Sequence, residues 1–252
     1  MGRRSMRRIG CFRACLVLAL VLTSGAGVHA GQSVTVAAPN LANLIEPDGS
    51  GIYQRLMARA LEPLDVKVEP VFYPYRRALR MFEESRVDCL LSLTDVVRRR
   101  IGSDAIVYSY PLGRFSFHIF TLAEDPPIES LEALEGRVVG SIKGHELYLG
   151  PTIKGHMALE SVPSEAQAVQ MLKMGRLDAL IAALPDIRPH LDGLNYDPDR
   201  PLLESYDRIN CHDTAKNRAF IQALSRELRG LKEKGVYQEV MGSLYMPFKD
   251  PH

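Results

Sequence analysis

The side chains able to do chemistry are scattered through the chain and match no familiar reactive motif. His145, His156, His190 and His212 lack the spacing that gathers a metal ion, and no His-Glu-x-x-His occurs, so satisfied or exposed histidines are expected and no metal or cofactor is. There is no P-loop, no Gly-rich dinucleotide turn after a strand and no Gly-x-Ser-x-Gly elbow. His145 and Glu146 could be written as an acid–base pair, but only their adjacency supports it. Thr94-Asp95 opens a short helix carrying Arg98, Arg99 and Arg100. A guanidinium at such a place offers a planar fork to a carboxylate, with free backbone N–H groups close by. A solvated arginine face is the ordinary alternative. Asp95 is expected to cap that helix through its carboxylate, and it could also face a ligand ammonium. Tyr73, Tyr75 and Tyr110 offer stacking surfaces and hydroxyls, or else ordinary packing. These residue types suit the binding of a small polar molecule better than its turnover.

Such side chains need elements to hold them, and the chain carries one pattern twice. Residues 78–91, Ala-Leu-Arg-Met-Phe-Glu-Glu-Ser-Arg-Val-Asp-Cys-Leu-Leu, match residues 168–181, Ala-Val-Gln-Met-Leu-Lys-Met-Gly-Arg-Leu-Asp-Ala-Leu-Ile. Ala, Met, Arg, Asp and Leu recur in register, ninety positions apart. Each copy reads as an amphipathic helix, a stop at Ser85 or Gly175, and a short apolar run. Ala78, Leu79 and Phe82 share one helix face. The second copy begins at Ser164 with Gln167 three residues on, a capping-box signature. The apolar runs are too short for helices and read as buried strands. Two similar α/β lobes with a ligand cleft between them is the functional reading; coincidence between two ordinary helix–strand units is the alternative.

The rest of the chain extends the same rhythm. Strands are expected at 34–38, 66–72, 88–93, 115–122, 137–141, 156–162 and 205–211. Helices are expected at 51–61, after Pro74, after Thr94-Asp95, after Gly144-His145-Glu146, after Ser164 and at 217–234, the last burying Ala219, Leu224, Leu228 and Leu231. Strand and helix in alternation make a parallel sheet covered on both faces.

The chain has 252 residues, enough for one large domain or two lobes. Its first thirty residues stand apart. Arg3, Arg4, Arg7, Arg8 and Arg13 precede an apolar run at 15–22 and then Val28-His29-Ala30, so a secretory signal peptide cleaved after Ala30 is expected, with a retained anchor as the alternative. Cys15 is in the wrong context for lipid attachment. The expected address is an exported, oxidising space, a bacterial periplasm. Removing the leader takes away five arginines and no acid, leaving 26 basic residues against 30 acidic ones. A net charge of about −4 gives no reason to expect nucleic acid as a partner. Cys89 and Cys211 remain, able to form a disulfide after export or to stay as free buried thiols.

In order and spacing, several segments resemble the periplasmic solute-binding proteins of the amino-acid-transport type, family 3, over nearly the whole mature chain. They are the Pro47-Asp48-Gly49 loop with Gly51 before the first helix; Pro74-Tyr75-Arg76-Arg77-Ala78-Leu79; Arg86-Val87-Asp88 before a strand; Asp95-Val96-Val97-Arg98; Ser109-Tyr110-Pro111; residues 128–140, Ile-Glu-Ser-Leu-Glu-Ala-Leu-Glu-Gly-Arg-Val-Val-Gly; Gly175-Arg176-Leu177-Asp178; and residues 231–237, Leu-Lys-Glu-Lys-Gly-Val-Tyr. The resemblance implies an α/β, two-lobed type II periplasmic-binding-protein fold, each lobe a mixed sheet flanked by helices and joined by two hinge strands. Lobe 1 would be residues 32–114 plus 207–252, and lobe 2 residues 115–206. It also places the strands of Cys89 and Cys211 side by side.

By the same resemblance Arg98 takes the place of the arginine that grips a ligand carboxylate, with Arg99 the alternative if the register slips. Tyr75 stands where the family puts an aromatic residue. Together with Asp95, Tyr73, Tyr110, His145 and Glu146 these are the expected ligand-binding residues; none is expected to be catalytic. The chain departs from the family at Gly144-His145-Glu146, where a Gly-Ser/Thr pair is usual, and at Ala183, where an acid often pairs with an α-amino group. Glu146 and Asp186 are the candidates to substitute for that acid. The departures argue against an ordinary α-amino-acid ligand. The implied function is a monomeric periplasmic binding protein that closes on a small polar, amino-acid-like or carboxylate-bearing solute and delivers it to an ABC permease. The alternatives are an enzyme on the same fold, similar to cyclohexadienyl dehydratases, and a sensor module of a signalling system.

Overall fold

The computed structural model describes residues 1–2, 32–39, 41, 43–153 and 157–250. The expected leader, its cleavage point and His156 lie outside them. The chain separates into two units, Met1–Ala30 and Gly31–His252, and every element below belongs to the second.

The first stretch runs β1 (Gln32–Pro39), α1 (Ile52–Leu61), β2 (Val66–Tyr73), α2 (Tyr75–Glu83), β3 (Cys89–Leu93) and α3 (Thr94–Ile101). The short β4 (Ile106–Tyr108) follows, and then the ten-residue β5 (Gly113–Leu122). The second stretch repeats the first: β6 (Val139–Ile142), α4 (Glu146–Ile153), β7 (Glu160–Val162), α5 (Glu165–Lys173) and β8 (Ala179–Leu184). After β9 (Leu194–Asn195), the ten-residue β10 (Leu203–His212) leads to α6 (Ala215–Glu233) and α7 (Val236–Met241). None of the described helices is long and apolar enough to cross a membrane.

All strands join one sheet in the order β2-β1-β3-β10-β5-β8-β6-β7, with β4 on β10 and β9 on β5. The parallel blocks at its two ends have the same construction. In each, the first strand lies in the middle, the second outside it and the third inside it. Between them β5 and β10 run antiparallel to each other. Asp207 marks the changeover on β10: it is opposite Leu93 of β3 on one side and Gly113 of β5 on the other. We call the β1–β3 block, with α6 and α7 packed against α1, the first half and the β6–β8 block the second.

The sequence repeat is therefore a repeat of construction, and its recurring residues do the same work. Ser85 and Gly175 both take a positive φ, 53° and 64°, ending α2 and α5 in left-handed turns. Across each turn the amide of Arg86 or Arg176 donates to the carbonyl of Met81 or Met171, at 2.9 Å in both. One carboxylate oxygen of Asp88 accepts from the Thr35 amide of β1 at 2.9 Å, and one of Asp178 accepts from the Val138 amide beside β6 at 2.7 Å. The repeated Asp thus ties the third strand of each block to its first. Ala78, Leu79 and Phe82 are buried, as are Ala168, Val169 and Leu172.

Three apolar clusters fill the structure. One packs α1, α6 and α7 on the first half, around Tyr53, Leu56, Phe220 and Leu224. Another packs α5 on the second half, around Phe120, Leu172 and Leu180. The third runs across both, from Leu79 and Phe82 through Phe115 and Phe117 to Leu149 and Ile181. Two local expectations need correction. On α6 the buried face is Asn217, Phe220, Ile221, Leu224 and Leu228; Leu224 and Leu228 are buried as expected, whereas Ala219 is exposed and Leu231 half-buried, because Phe220 and Ile221 take the inward positions of the first turns. At Ser164 only one arm of a capping box forms, Ser164 Oγ accepting from the Gln167 amide at 3.4 Å.

Cys89 and Cys211 are directly opposite on β3 and β10 and are joined as a disulfide across 122 residues of chain.

Candidate functional site

A cavity of about 300 Å³ lies where the two halves face each other. Its walls come from six strand ends. Leu41 follows β1, Tyr75 follows β2 and Leu93 ends β3 on one side; His145 follows β6, Glu165 follows β7 and Asp186 follows β8 on the other. Phe115 of β5 and Asp207 of β10 also line it. In parallel α/β sheets the carboxyl ends of strands are where chain turns free backbone and side chains toward a ligand. Here two such sets converge on one space. A second cavity of about 250 Å³ lies beside α1, lined by core residues such as Leu61, Val68 and Phe72 and by no charged group. It has no chemistry to offer.

The cavity's polar lining is mostly acidic. Asp207 is 4 % exposed, and its Oδ2 accepts a hydrogen bond from Tyr53 Oη at 2.9 Å. Burial pushes its carboxyl up to about 7, against the pull of the Tyr53 hydrogen bond. Gly113 makes that bond possible, since a Cβ there would meet Tyr53 Oη at 2.3 Å. Asp186 is held well above the usual carboxylate range by burial, then by the charges of Glu165 and Asp207, and its Oδ1 is buried without a hydrogen-bond partner. His145 is 7 % exposed with Nδ1 unpartnered; burial lowers its pKa to about 4, against the pull of Glu146. Lys143, exposed, is the one cation among the lining residues described.

Tyr75 and Tyr148 form an aromatic wall, with ring centroids 5.0 Å apart. Tyr75 Oη shares a 2.6 Å hydrogen bond with Ser92 Oγ. Burial raises the Tyr75 hydroxyl to about 12, although hydrogen bonding to Ser92 favours its charged form.

Of the residues singled out in the sequence, Tyr75, His145 and Asp186, the last named there as a substitute acid, line the cavity, and the other expected ligand-binding residues do not. Glu146 lies beside it, accepting from Arg76 Nη2 at 2.5 Å and from the Gly144 amide at 2.6 Å. Burial alone would raise the Glu146 carboxyl, but these bonds and its own amide hold it below the usual range. Arg98 packs its guanidinium over the Tyr108 ring at 4.9 Å and donates to Tyr108 Oη at 3.0 Å. Arg99 is exposed, without a hydrogen bond or ion pair among the described residues, and its charge acts on the Tyr75 hydroxyl. Arg100 pairs with Glu83. Tyr73 packs beneath Arg77, and Tyr110 donates to Asp250 at 2.5 Å. His190 follows β8 in a short turn, and His212 Nε2 donates to the Phe82 carbonyl while its ring stacks on the Phe82 ring.

Asp95 does not cap its helix. Strand β3 runs straight into α3, Leu93 is the cap residue, and Thr94 turns its hydroxyl inward to donate to Asn210 Oδ1 at 2.7 Å. Asp95 instead lies exposed, 3.5 Å from Ser205 Oγ. Glu165, Asp207, Tyr148 and Phe115 went unremarked in the sequence. The one usable signal was position: Glu165 follows a helix-capping Ser164 just past an expected strand, where sheet-borne ligand sites lie.

No protein-family model matches the sequence, and no curated sequence aligns with it significantly. Solved structures do match. A histidine kinase sensor domain described as similar to periplasmic binding proteins aligns with a TM-score of 0.63 at 19 % identity, over 87 % of this chain and 98 % of that one. The chain has the type II periplasmic-binding-protein fold. The GluR0 ligand-binding core from Nostoc punctiforme, in complex with L-glutamate, aligns with a TM-score of 0.65 at 18 % identity, over 85 % of this chain and all of that one. The ancestral amino-acid-binding protein AncCDT-1, a precursor of cyclohexadienyl dehydratase, aligns with a TM-score of 0.65 at 15 % identity, over 85 % and 95 %. At these identities the type II fold is what is shared, as the segments quoted above implied.

Proposed function

We propose that the protein is a solute-binding protein that closes its two halves on a small polar molecule. One observation carries the reading: six strand ends from two equivalent blocks meet at one cavity. In this reading residues 32–114 plus 207–252 form one lobe and residues 115–206 the other. The hinge is the paired segment in which Gly113 to Phe117 of β5 lies along Leu203 to Asp207 of β10. Closure would desolvate the solute and strengthen every polar contact it makes.

The lining indicates what the solute carries. Glu165, Asp186 and Asp207 face Lys143 alone, so a positively charged group is favoured and a lone carboxylate is not. For a carboxylate on the same solute, Arg99 of α3 is the candidate partner, since its charge acts on the Tyr75 hydroxyl of the cavity wall. The aromatic wall of Tyr75 and Tyr148 suits the apolar part of the molecule, or a cation over its rings. The expected location is the periplasm after removal of residues 1–30, in keeping with the Cys89–Cys211 disulfide. Delivery to an ABC permease is the partner reading. Signalling is the alternative, and a kinase sensor domain with this fold favours keeping it.

Turnover is the second reading, because buried His145 and half-buried Asp186 each keep one buried polar atom without a hydrogen bond among the described residues, and both groups can exchange protons. A thermal-shift screen of amines, amino acids and other polar metabolites separates the two. Binding predicts stabilisation by a hit that is recovered unchanged. A hit that disappears over time with a new product contradicts binding alone, and no stabilising compound at all contradicts both.

A further inference from the structure

Three of the cavity's side chains do not yet have a role. His145, Glu165 and Asp186 are twenty or more positions apart in sequence, yet one ring nitrogen and one oxygen from each carboxylate lie within 4.8 Å of one another. Each follows the end of one of three adjacent parallel strands, in the order β7-β6-β8, so the sheet itself brings them together. His145 is buried and Asp186 half-buried, and each holds a buried atom, Nδ1 and Oδ1, that finds no hydrogen bond among the described residues. Glu165 has none among the described residues either. Leaving two buried polar atoms unpaired in one small space is costly unless something fills it.

We propose that His145, Glu165 and Asp186 form a site for one divalent transition-metal cation of the Zn²⁺ kind, on the wall of the cleft. One imidazole and two carboxylates are a donor set that such cations take and that softer ions do not require. Two donors about 2.1 Å from a common ion stand roughly 3–4 Å apart, so coordination asks the present spacing to shorten by about 1 Å. Asp207 adds negative charge nearby, and Lys143 is the opposing charge on the rim. Glu146, next in sequence to His145, is spoken for by Arg76 and the Gly144 amide. The open coordination positions face the cavity, where a chelating solute would supply the remaining ligands.

This deepens the solute-binding reading by naming a ligand class, and it rests on that reading for the cavity. It does not need closure, because all three donors belong to the second half. The test uses the protein without a polyhistidine tag, stripped with EDTA, in a non-coordinating buffer. Titration with ZnCl₂ by calorimetry should show one ion per chain, and CoCl₂ should give visible d–d bands that ZnCl₂ abolishes. His145→Ala and Asp186→Asn should each weaken binding at least tenfold, Glu165→Gln should weaken it in the same direction, and Glu160→Gln should leave it unchanged. Melting of each metal-free variant checks that it folds. CaCl₂ should not compete. Absence of saturable binding, or binding that all three variants retain, overturns the proposal. If metal fails to bind but an organic solute stabilises the protein regardless of EDTA, only this inference falls. If Zn²⁺ binds to the site but no solute draws the halves together, the solute-binding reading falls instead.

Discussion

Arg76, at the start of α2, and Glu146, at the start of α4, form an ion pair at 2.5 Å that links the two halves beside the cavity. Each is the immediate neighbour of a cavity-lining residue, Tyr75 and His145. Both side chains are well exposed, 68 % and 41 %, so water screens the pair and its net worth is at most about 1 kcal/mol. A contact of that size biases closure without locking it. Arg76→Ala should weaken solute affinity by roughly fivefold or less. The exchange of charges, Arg76→Glu with Glu146→Arg, should recover most of the loss. A thermal-shift titration with a screened solute reads both.

The Asp207 carboxyl makes stability depend on pH. The titratable groups facing it are Tyr53 from α1, Tyr75 from α2, Tyr148 from α4 and Asp186 after β8. Its pKa of about 7, against an ordinary 3.8, means that the folded protein keeps a proton the unfolded chain gives up. That contribution is therefore full below about pH 4 and is lost as pH rises toward 7, with a total of roughly 4 kcal/mol. Denaturant melts between pH 4 and 7 should show the decline, and Asp207→Asn should make it shallower, with the raised Asp186 carboxyl supplying what remains. Gly113→Ala should destabilise the protein at every pH, because the added methyl displaces Tyr53 from Asp207.

Arg98 and Arg99 make opposite predictions. Arg98 is engaged with Tyr108, so Arg98→Ala should cost less than about 1 kcal/mol of stability and leave solute affinity within about twofold. Arg99 reaches the Tyr75 hydroxyl with its charge, so Arg99→Ala should weaken any solute that bears a carboxylate. A binding isotherm for each variant decides between them.

The disulfide closes a loop of 122 residues and ties β3 to β10 next to the changeover at Asp207. Closing so long a loop restricts the unfolded chain, and reduction should lower stability by about 2–5 kcal/mol. Melting with and without reductant measures it, and Cys89→Ala with Cys211→Ala should match the reduced protein.

The frame of this molecule was readable from the chain because it is written in local patterns. The pair Asp88 and Asp178, in matched surroundings, marked two blocks of the same construction, and each proved to hold the same strand pair together. Tyr75 and His145 were readable because they sit beside helix starts, where segments quoted for the family fall. Of the acidic lining only Asp186 was named from the chain, as a substitute acid, and its grouping with Glu165 and Asp207 was not readable. Glu165, Asp186 and Asp207 are distant in sequence, and only the order β7-β6-β8, with β10 crossing over, brings them together. Histidine spacing failed for the same reason: the partners of His145 are carboxylates on other strands. Arg98 and its alternative Arg99 could not be separated in the chain, because their difference lies in partners distant in sequence or on other elements: Tyr108 engages Arg98, and the charge of Arg99 acts on Tyr75.

The central claim is that two hinged halves shut on a solute, and the distance between them tests it most directly. Spin labels at Glu84 and Met174, exposed residues that end α2 and α5 at equivalent places, report on opposite halves. Introducing the labels through a non-natural amino acid spares the disulfide. Pulsed dipolar spectroscopy should show a broad distribution without solute and a single shorter distance with the most stabilising solute from the screen. One narrow distance, unchanged by a solute that demonstrably binds, would contradict the account.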